Sequence, residues 1–464
     1  MAKWIVEEIA KATSGTVHHA KGQEEVEGVS FDTRTIKEGN LFVPLIAERN
    51  GHEFIQSAIE KGAIATFWSE PIEEAPKNIA VIEVEDTLLA FQNFAGYFLK
   101  KVNPKVIGIT GSNGKTTTKD MVAAIVSAKY NTHKTVGNFN NHIGLPLTIL
   151  EMAETTEAVV LEMGMSGKGE IQELSHIAHP DIAVITMIGE SHIEFLGSRE
   201  AIAEAKLEII EGMQGGTLIY SGEEPLLKER VEKPSTDSYL SKKRTFGKSA
   251  ESDFYPIEVE ALMKETRFST NRNPERTCVL PIPGIYNVQN ALAALLVGEE
   301  LGIDTQVAYD KLSHFELTKN RLEWKEGWNQ STVLNDAYNA SPSSMKAVLR
   351  YFQDISVPAR RVVVLGDILE LGEQSKDMHQ GLQEAIHPHK IDQLLLYGEQ
   401  MRALYDQLKP EMTKETLHHF TGDKEPLINY LKEYLQPEDT VLIKSSFSTG
   451  LLEVVSKLSQ AEKE

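Results

Sequence analysis

The chain has 464 residues, 41% hydrophobic and 25% charged, an ordinary globular composition in a chain too long for one core. Its formal net charge of −21 argues against a broad nucleic-acid surface, and it carries no apolar run long enough to span a membrane. Cys278 is the only cysteine, which excludes an intrachain disulfide and a cysteine zinc site.

In chain order, the segment Met1-Ala2-Lys3-Trp4-Ile5-Val6-Glu7-Glu8 turns acidic too early for a signal peptide, so a cytoplasmic enzyme is expected. Residues 1–100 read as mixed α/β. A short helix runs to Gly15, and short apolar strands follow at 41–43 and 81–84. Ser30-Phe31-Asp32-Thr33-Arg34, then Gly39-Asn40-Leu41-Phe42-Val43, form a strand, a loop and a strand. Arg34 has the fork to hold a diphosphate; read alone, Asp32 and Arg34 make a surface ion pair.

Residues 101–316 alternate strand and helix. The strands at 106–110, 159–162, 182–187 and 217–220 are short apolar runs, as in a parallel sheet covered on both faces. Directly after the first comes Gly111-Ser112-Asn113-Gly114-Lys115-Thr116-Thr117. A glycine-rich loop between a strand and a helix turns its amides inward around phosphate oxygens. Lys115 adds a point charge and Thr116 a hydroxyl for magnesium. The strict eight-residue P-loop needs glycine where Ile109 stands, so the shorter Thr-Gly-x-x-Gly-Lys-Thr form remains. The chain is therefore expected to bind a nucleoside triphosphate.

Three more candidates sit at strand ends, where open α/β sheets place ligands. Glu162 ends its strand and could reach a magnesium on the triphosphate, or be a solvated acid. His192, in the loop after 182–187, could ligate a second metal or be a plain surface residue. Lys206 falls within the apolar stripe of Ile202, Ile209, Ile210 and Met213, opposite Glu204, Glu208 and Glu211. Sequence alone favours a snorkelling lysine there. The alternative is a buried amine of depressed pKa, able to take up carbon dioxide as a carbamate. From about 221 to 273 the chain reads as an irregular insertion with short strands. Asn287 and Asn290 share a face at the next helix start, for a base edge or a cap.

Residues 317–464 alternate again, with strands at 333–335, 361–365, 393–397 and 440–444, as in a second doubly wound unit. Ser341-Pro342 is an N-cap and first-turn pair, which places Asp336 and Asn339 at a strand–helix corner suited to ribose or phosphate contacts.

Asp32-Thr33-Arg34 with Gly39-Asn40-Leu41-Phe42, and the stretches 50–55, 110–117, 137–148, 162–164, 336–340 and 365–372, resemble the signatures of the Mur ligases. These are the ATP-dependent amide-forming enzymes of peptidoglycan precursor synthesis, and the resemblance covers essentially the whole chain. It implies an α/β fold of three domains: 1–100 for the uridine-diphosphate-linked substrate, a mostly parallel 101–316 for ATP, and a Rossmann-like 317–464. It implies that residues 111–117 bind the ATP phosphates, with Lys115, Lys206 and His192 catalytic. Thr116, Glu162 and His192 would hold two magnesium ions beside a carbamylated Lys206. Asn290, Arg321 and Asp336 would contact the nucleotide. Ser30, Asp32, Thr33 and Arg34 would hold the uridine-diphosphate end, and Asn138, Asn140, Asn141 and Asn339 the rest of the substrate.

Within that family, 138–148 and 336–340 favour the step that joins D-alanyl-D-alanine to UDP-N-acetylmuramoyl-tripeptide through an acyl phosphate. An amino-acid-adding Mur ligase or folylpolyglutamate synthetase is the alternative. A monomer is expected. Three positions depart from the family pattern: Tyr286 where histidine is common, Leu207 where glycine is frequent, and Ser445-Ser446-Phe447 in place of Gly-Ser-Arg.

Overall fold

The computed structural model describes residues 2–19 and 23–459. The first sheet has five strands in the order Thr16–His18, Ala80–Glu83, Ala65–Trp68, Leu41–Phe42, Val29–Ser30, all parallel except the first pair. Helix Thr87–Val102 covers it. Asp86 caps that helix by accepting from the Leu89 amide at 2.8 Å, and Ala90, Phe91, Phe94, Ala95 and Phe98 form its buried stripe. Trp4 meets Phe94 and Phe98 edge-on, each at 5.1 Å. The helix passes residue 100 and feeds strand Lys105–Thr110.

The second sheet is wholly parallel, in the order Leu240–Phe246, Gly216–Ser221, Ile182–Ile185, Lys105–Thr110, Ala158–Glu162, Thr132–Lys134. Alternation along its strands feeds two cores. Ile107, Ile109, Val160 and Val184 pack with helices Lys115–Val126 and Tyr286–Glu300. Val106, Val159, Leu161 and Ala183 face the core that includes Ile171 and Leu174 of helix Glu170–Ala178. The stretch expected as an irregular insertion is better ordered than its polar composition suggests. Leu240–Phe246 is the edge strand of this sheet, and Pro256–Ala261, Thr266–Thr270 and Asn273–Leu280 form a separate antiparallel sheet.

The third sheet runs Glu323–Glu326, Thr332–Asp336, Thr440–Lys444, Arg361–Gly366, Gln393–Tyr397, Leu417–Phe420, parallel except for its first, edge pair. Its faces divide the same way. Val333, Val364 and Ile443 meet helices Glu425–Tyr434 and Leu452–Leu458, while Leu334, Leu365 and Leu442 meet helix Pro342–Asp354. Both sheets are thus doubly wound α/β, a form that places ligands at the C-terminal ends of its strands. Among the described residues no helix is long and apolar enough to cross a membrane.

Candidate functional site

The phosphate loop is held open by glycines that nothing else could replace. Gly111 has φ +149°, and a Cβ there would lie 1.8 Å from Thr186 Oγ1. Gly114 has φ +83°, and a Cβ would lie 2.4 Å from Asn290 Oδ1. The loop is also tied from outside. The Ser112 amide donates to the Met187 carbonyl at 2.9 Å, Thr186 Oγ1 donates to the Asn113 carbonyl at 2.6 Å, and the Gly189 amide donates to Ser112 Oγ at 2.8 Å. Lys115 opens the following helix and folds back to donate to the Gly111 carbonyl at 2.7 Å. Its pKa is lowered, chiefly by burial; the nearby Arg321 guanidinium lowers it further, against the opposing pull of Glu162.

Behind the loop lie Lys206 and Glu162. Lys206 is 1% exposed, so it does not snorkel. Helix Arg199–Leu207 ends one residue beyond it, and the chain tightens into a 3₁₀ turn at Glu208–Ile210, so the long apolar stripe expected from sequence is two elements. Burial, then the charge of Lys115, push the Lys206 amine well below its usual range. Glu208 does not face solvent either. It is buried and accepts from the amides of Gly169 at 2.9 Å and Gln172 at 3.3 Å. Glu162, 2% exposed, is no solvated acid. Asn140 Nδ2 donates to its Oε1 at 2.9 Å, while its Oε2 is buried without a hydrogen-bond partner among the described residues. An open carboxylate oxygen beside a phosphate loop fits a divalent cation, with the buried Thr116 hydroxyl available on the loop side. Among the described residues, no three His, Cys, Asp or Glu side chains converge on a metal position by themselves. His192, at φ +63°, lies 2.5 Å from Glu370 Oε2 of the C-terminal sheet's loops.

On its open side the loop faces a cavity of about 870 Å³. Residues 112–117, Asn290, Arg321, Asp336 and Asn339 line it together, with Phe246, Ile257 and Val259 forming an apolar end. Asn290 Nδ2 donates to Asn287 Oδ1 at 3.1 Å, and Asn287 turns back to the Pro283 carbonyl, so Asn290 is the one left facing the loop. The Arg321 guanidinium stacks 4.6 Å over Tyr338, and its Nε is buried without a hydrogen-bond partner among the described residues. Asp336 pairs with Lys444 Nζ at 2.6 Å, and that ammonium also donates to the Asn339 carbonyl at 2.9 Å. Ser341 caps helix Pro342–Asp354 and donates to Asn113 Oδ1 at 3.1 Å, while Asn113 Nδ2 donates to Ser343 Oγ at 3.2 Å. The phosphate loop and the third sheet therefore close on one cavity.

The remaining sequence candidates lie elsewhere. Ser30, Asp32, Thr33 and Arg34 form a turn that Lys61 ties at the Thr33 carbonyl: Arg34 Nη2 donates to Asp32 Oδ2 at 2.6 Å, and its side chain is 86% exposed. That matches the surface-pair reading. Asn141 caps helix Gly144–Leu150 through the Gly144 amide at 2.8 Å, Asn138 is exposed, and only Asn140 reaches Glu162. Lys444, Tyr338, Ser343 and Glu370 were not singled out as site residues. Lys444 carried a signal, a lysine closing an apolar strand at the ligand end of a parallel sheet; the others are joined only by folding.

A strand–glycine loop–helix unit, a buried carboxylate and a second doubly wound sheet closing one cavity define a nucleotide-using enzyme of the α/β class. The Mur ligase middle domain model matches residues 109–298, and the Mur ligase, glutamate ligase domain model matches residues 320–447. UDP-N-acetylmuramoyl-tripeptide--D-alanyl-D-alanine ligase of Bacillus subtilis is 43% identical over 464 residues, 99% of each chain. The crystal structure of MurF from Acinetobacter baumannii superposes with a TM-score of 0.87 at 28% identity, over 98% of both chains. MurF ligase from Thermotoga maritima in complex with ADP matches at 0.79 and 26% identity, over 93% of this chain and 97% of that one. The chain belongs to the Mur ligase family and is an ATP-dependent peptide ligase.

Proposed function

We propose that this ligase joins D-alanyl-D-alanine to the free carboxylate of UDP-N-acetylmuramoyl-tripeptide, with ATP converted to ADP and phosphate. The observation that carries the reading is the phosphate loop, with Lys115 on it and the open Glu162 Oε2 behind it, in a chain 43% identical end to end to a relative bearing that name. The division of labour follows the three sheets: residues 1–100 for the uridine-diphosphate end, 101–316 for ATP, 317–464 closing over both. Ser30, Asp32, Thr33 and Arg34 would meet the diphosphate, and Asn138, Asn140, Asn141 and Asn339 the muramoyl peptide.

The carboxylate attacks the terminal phosphorus of ATP and ADP leaves. The amine of the dipeptide then attacks the acyl carbon, loses a proton, and phosphate departs. The chain supplies position and charge. The amides of 111–117 and Lys115 hold the transferring phosphoryl group, while Asn290 and Arg321 orient the nucleotide over them. Thr116 and Glu162 would hold magnesium, with His192 for a second ion; bound there, it would neutralise phosphate charge. Lys206, a buried amine whose pKa is pushed well down, is suited to add to carbon dioxide. Its unprotonated form makes an N–C bond, a proton leaves the nitrogen, and the amine becomes an anionic carbamate. Contact between Asn113 and Ser341 and Ser343 closes the third sheet over the cavity, which excludes water from the acyl phosphate.

The test is coupled phosphate release with a panel of uridine-linked peptides and amines. Release should need both UDP-N-acetylmuramoyl-tripeptide and D-alanyl-D-alanine. Release supported by a single amino acid as well as by the dipeptide would assign another step of the family.

A further inference from the structure

One buried ionic cluster lies outside the chemistry above. Lys119 and Asp120, on the helix that Lys115 opens, are each no more than 2% exposed. Both oxygens of Asp120 are engaged. Oδ1 accepts from Lys134 Nζ at 2.7 Å and faces Lys119 Nζ at 3.3 Å. Oδ2 accepts from the amide of Thr318 at 3.0 Å and from its hydroxyl at 2.9 Å. Burial alone would raise this carboxyl's pKa; the Lys119 charge and the Lys134 and Thr318 hydrogen bonds outweigh it and hold the group below its usual range. A charge so far from water persists only if fully partnered, so the Thr318 contacts are built in.

Thr318 sits on the junction between the two matched segments, 109–298 and 320–447. Arg321, which stacks on Tyr338 at the cavity wall, is three residues further on. The cluster also runs the other way. Lys119 Nζ donates to the Thr135 carbonyl at 2.9 Å, and the Glu162 amide donates to Thr135 Oγ1 at 3.0 Å. Thr318, Asp120, Lys119, Thr135 and Glu162 thus form one path of hydrogen bonds and an ion pair from the junction to the open carboxylate.

We propose that Asp120 and Thr318 are positioning residues: they clamp the junction to the phosphate-loop helix and so set Arg321 at the nucleotide cavity. This rests on the reading of Arg321 as a nucleotide contact. Without the Thr318 hydroxyl, the junction keeps only its amide on Asp120 and gains freedom to slide. Arg321 then meets the nucleotide in a fraction of molecules, which weakens nucleotide binding without touching any group that contacts it.

The test is ADP binding by titration calorimetry, with steady-state kinetics beside it. Thr318→Val keeps the shape and loses the hydroxyl; Thr318→Ser keeps the hydroxyl. Thr318→Val should weaken ADP binding about fivefold, less than the full loss of one hydrogen bond to a charged group, because the Thr318 amide still holds Asp120. It should raise KM for ATP in step and leave KM for the uridine-linked peptide unchanged, and Thr318→Ser should restore both. In an Arg321→Ala background, Thr318→Val should have no further effect on ADP affinity, because the two act through one contact. A valine variant that binds ADP like the parent, while Arg321→Ala is weakened, would overturn the clamp and leave the nucleotide site standing. Full additivity of the two substitutions would overturn it as well. If Arg321→Ala itself bound ADP normally, the nucleotide role of Arg321 would fall and the clamp with it.

Discussion

At the residue scale, Lys206 is the proposed site residue with the least sequence signal. Its neighbours along the chain mark an apolar stripe, and that much was readable. Its burial was not, because it depends on where the helix ends. Leu207 closes the helix, the 3₁₀ turn redirects Ile209 and Ile210, and Lys206 is sealed beside Lys115. Glu208 was misplaced for the same reason: the amides of Gly169 and Gln172 that draw it inward lie over thirty residues away. If Lys206 works as a carbamate, Lys206→Ala should be nearly inactive and regain part of its turnover in short-chain carboxylates, which can fill the vacated space. Lys206→Arg should not recover, since it fills that space and stays charged. Turnover of Lys206→Ala near the parent's in plain buffer would remove the lysine from the chemistry.

At the scale of elements, the phosphate loop was legible because its chemistry is local: an apolar strand, two glycines, a lysine and a helix, all within residues 105–126. Leu240–Phe246 was not, because a polar edge strand lacks the apolar run that marks a central one. Ser341 was legible for its cap, and the structure adds its contact with Asn113. Ser341→Ala should cost about 1 kcal/mol of stability, read as a lower urea midpoint. An unchanged midpoint would mean the capping box is not closed in solution. The loop after strand Arg361–Gly366 depends on a buried histidine. The Ile368 amide donates to His379 Nε2 at 3.1 Å, and His379 Nδ1 donates to the Ser375 carbonyl at 2.7 Å, so the ring is neutral. Burial lowers its pKa below the usual histidine value. As pH falls through about 6.5, the unfolded chain takes up a proton that the folded ring refuses, so stability drops toward acid. His379→Gln should be less stable at pH 7.5 and should lose less between pH 7.5 and 5.5 than the parent. Parallel losses in the two proteins would show that His379 is not the group responsible.

At the scale of the whole molecule, the proposed function asks three domain sheets to bring their ligands together. Sequence placed the strands of the two parallel sheets well, because strands buried on both faces are continuous apolar runs. It could not show that the third sheet reaches the phosphate loop through Asn113 and Ser343, or that Asp336 is held by Lys444, since these pairs are over a hundred residues apart. In the first sheet's loop Arg34 is 86% exposed and, among the described residues, paired only with its neighbour Asp32, so its outer edge is accessible to a ligand. Arg34→Ala should raise KM for the uridine-linked peptide about tenfold, as for loss of a charge-assisted pair, and leave KM for ATP nearly unchanged. An equal rise in both would break the assignment of residues 1–100 to that substrate.

The central claim is that ATP activates the tripeptide carboxylate as an acyl phosphate, which the dipeptide's amine then attacks. It is tested most directly by labelling that carboxylate of UDP-N-acetylmuramoyl-tripeptide with oxygen-18. The reaction is then run with ATP and D-alanyl-D-alanine, and the products are weighed by mass spectrometry. An acyl phosphate requires one labelled oxygen to leave on the released phosphate and one to stay in the new amide. Phosphate free of label, with the lost labelled oxygen released into water instead, would contradict the account.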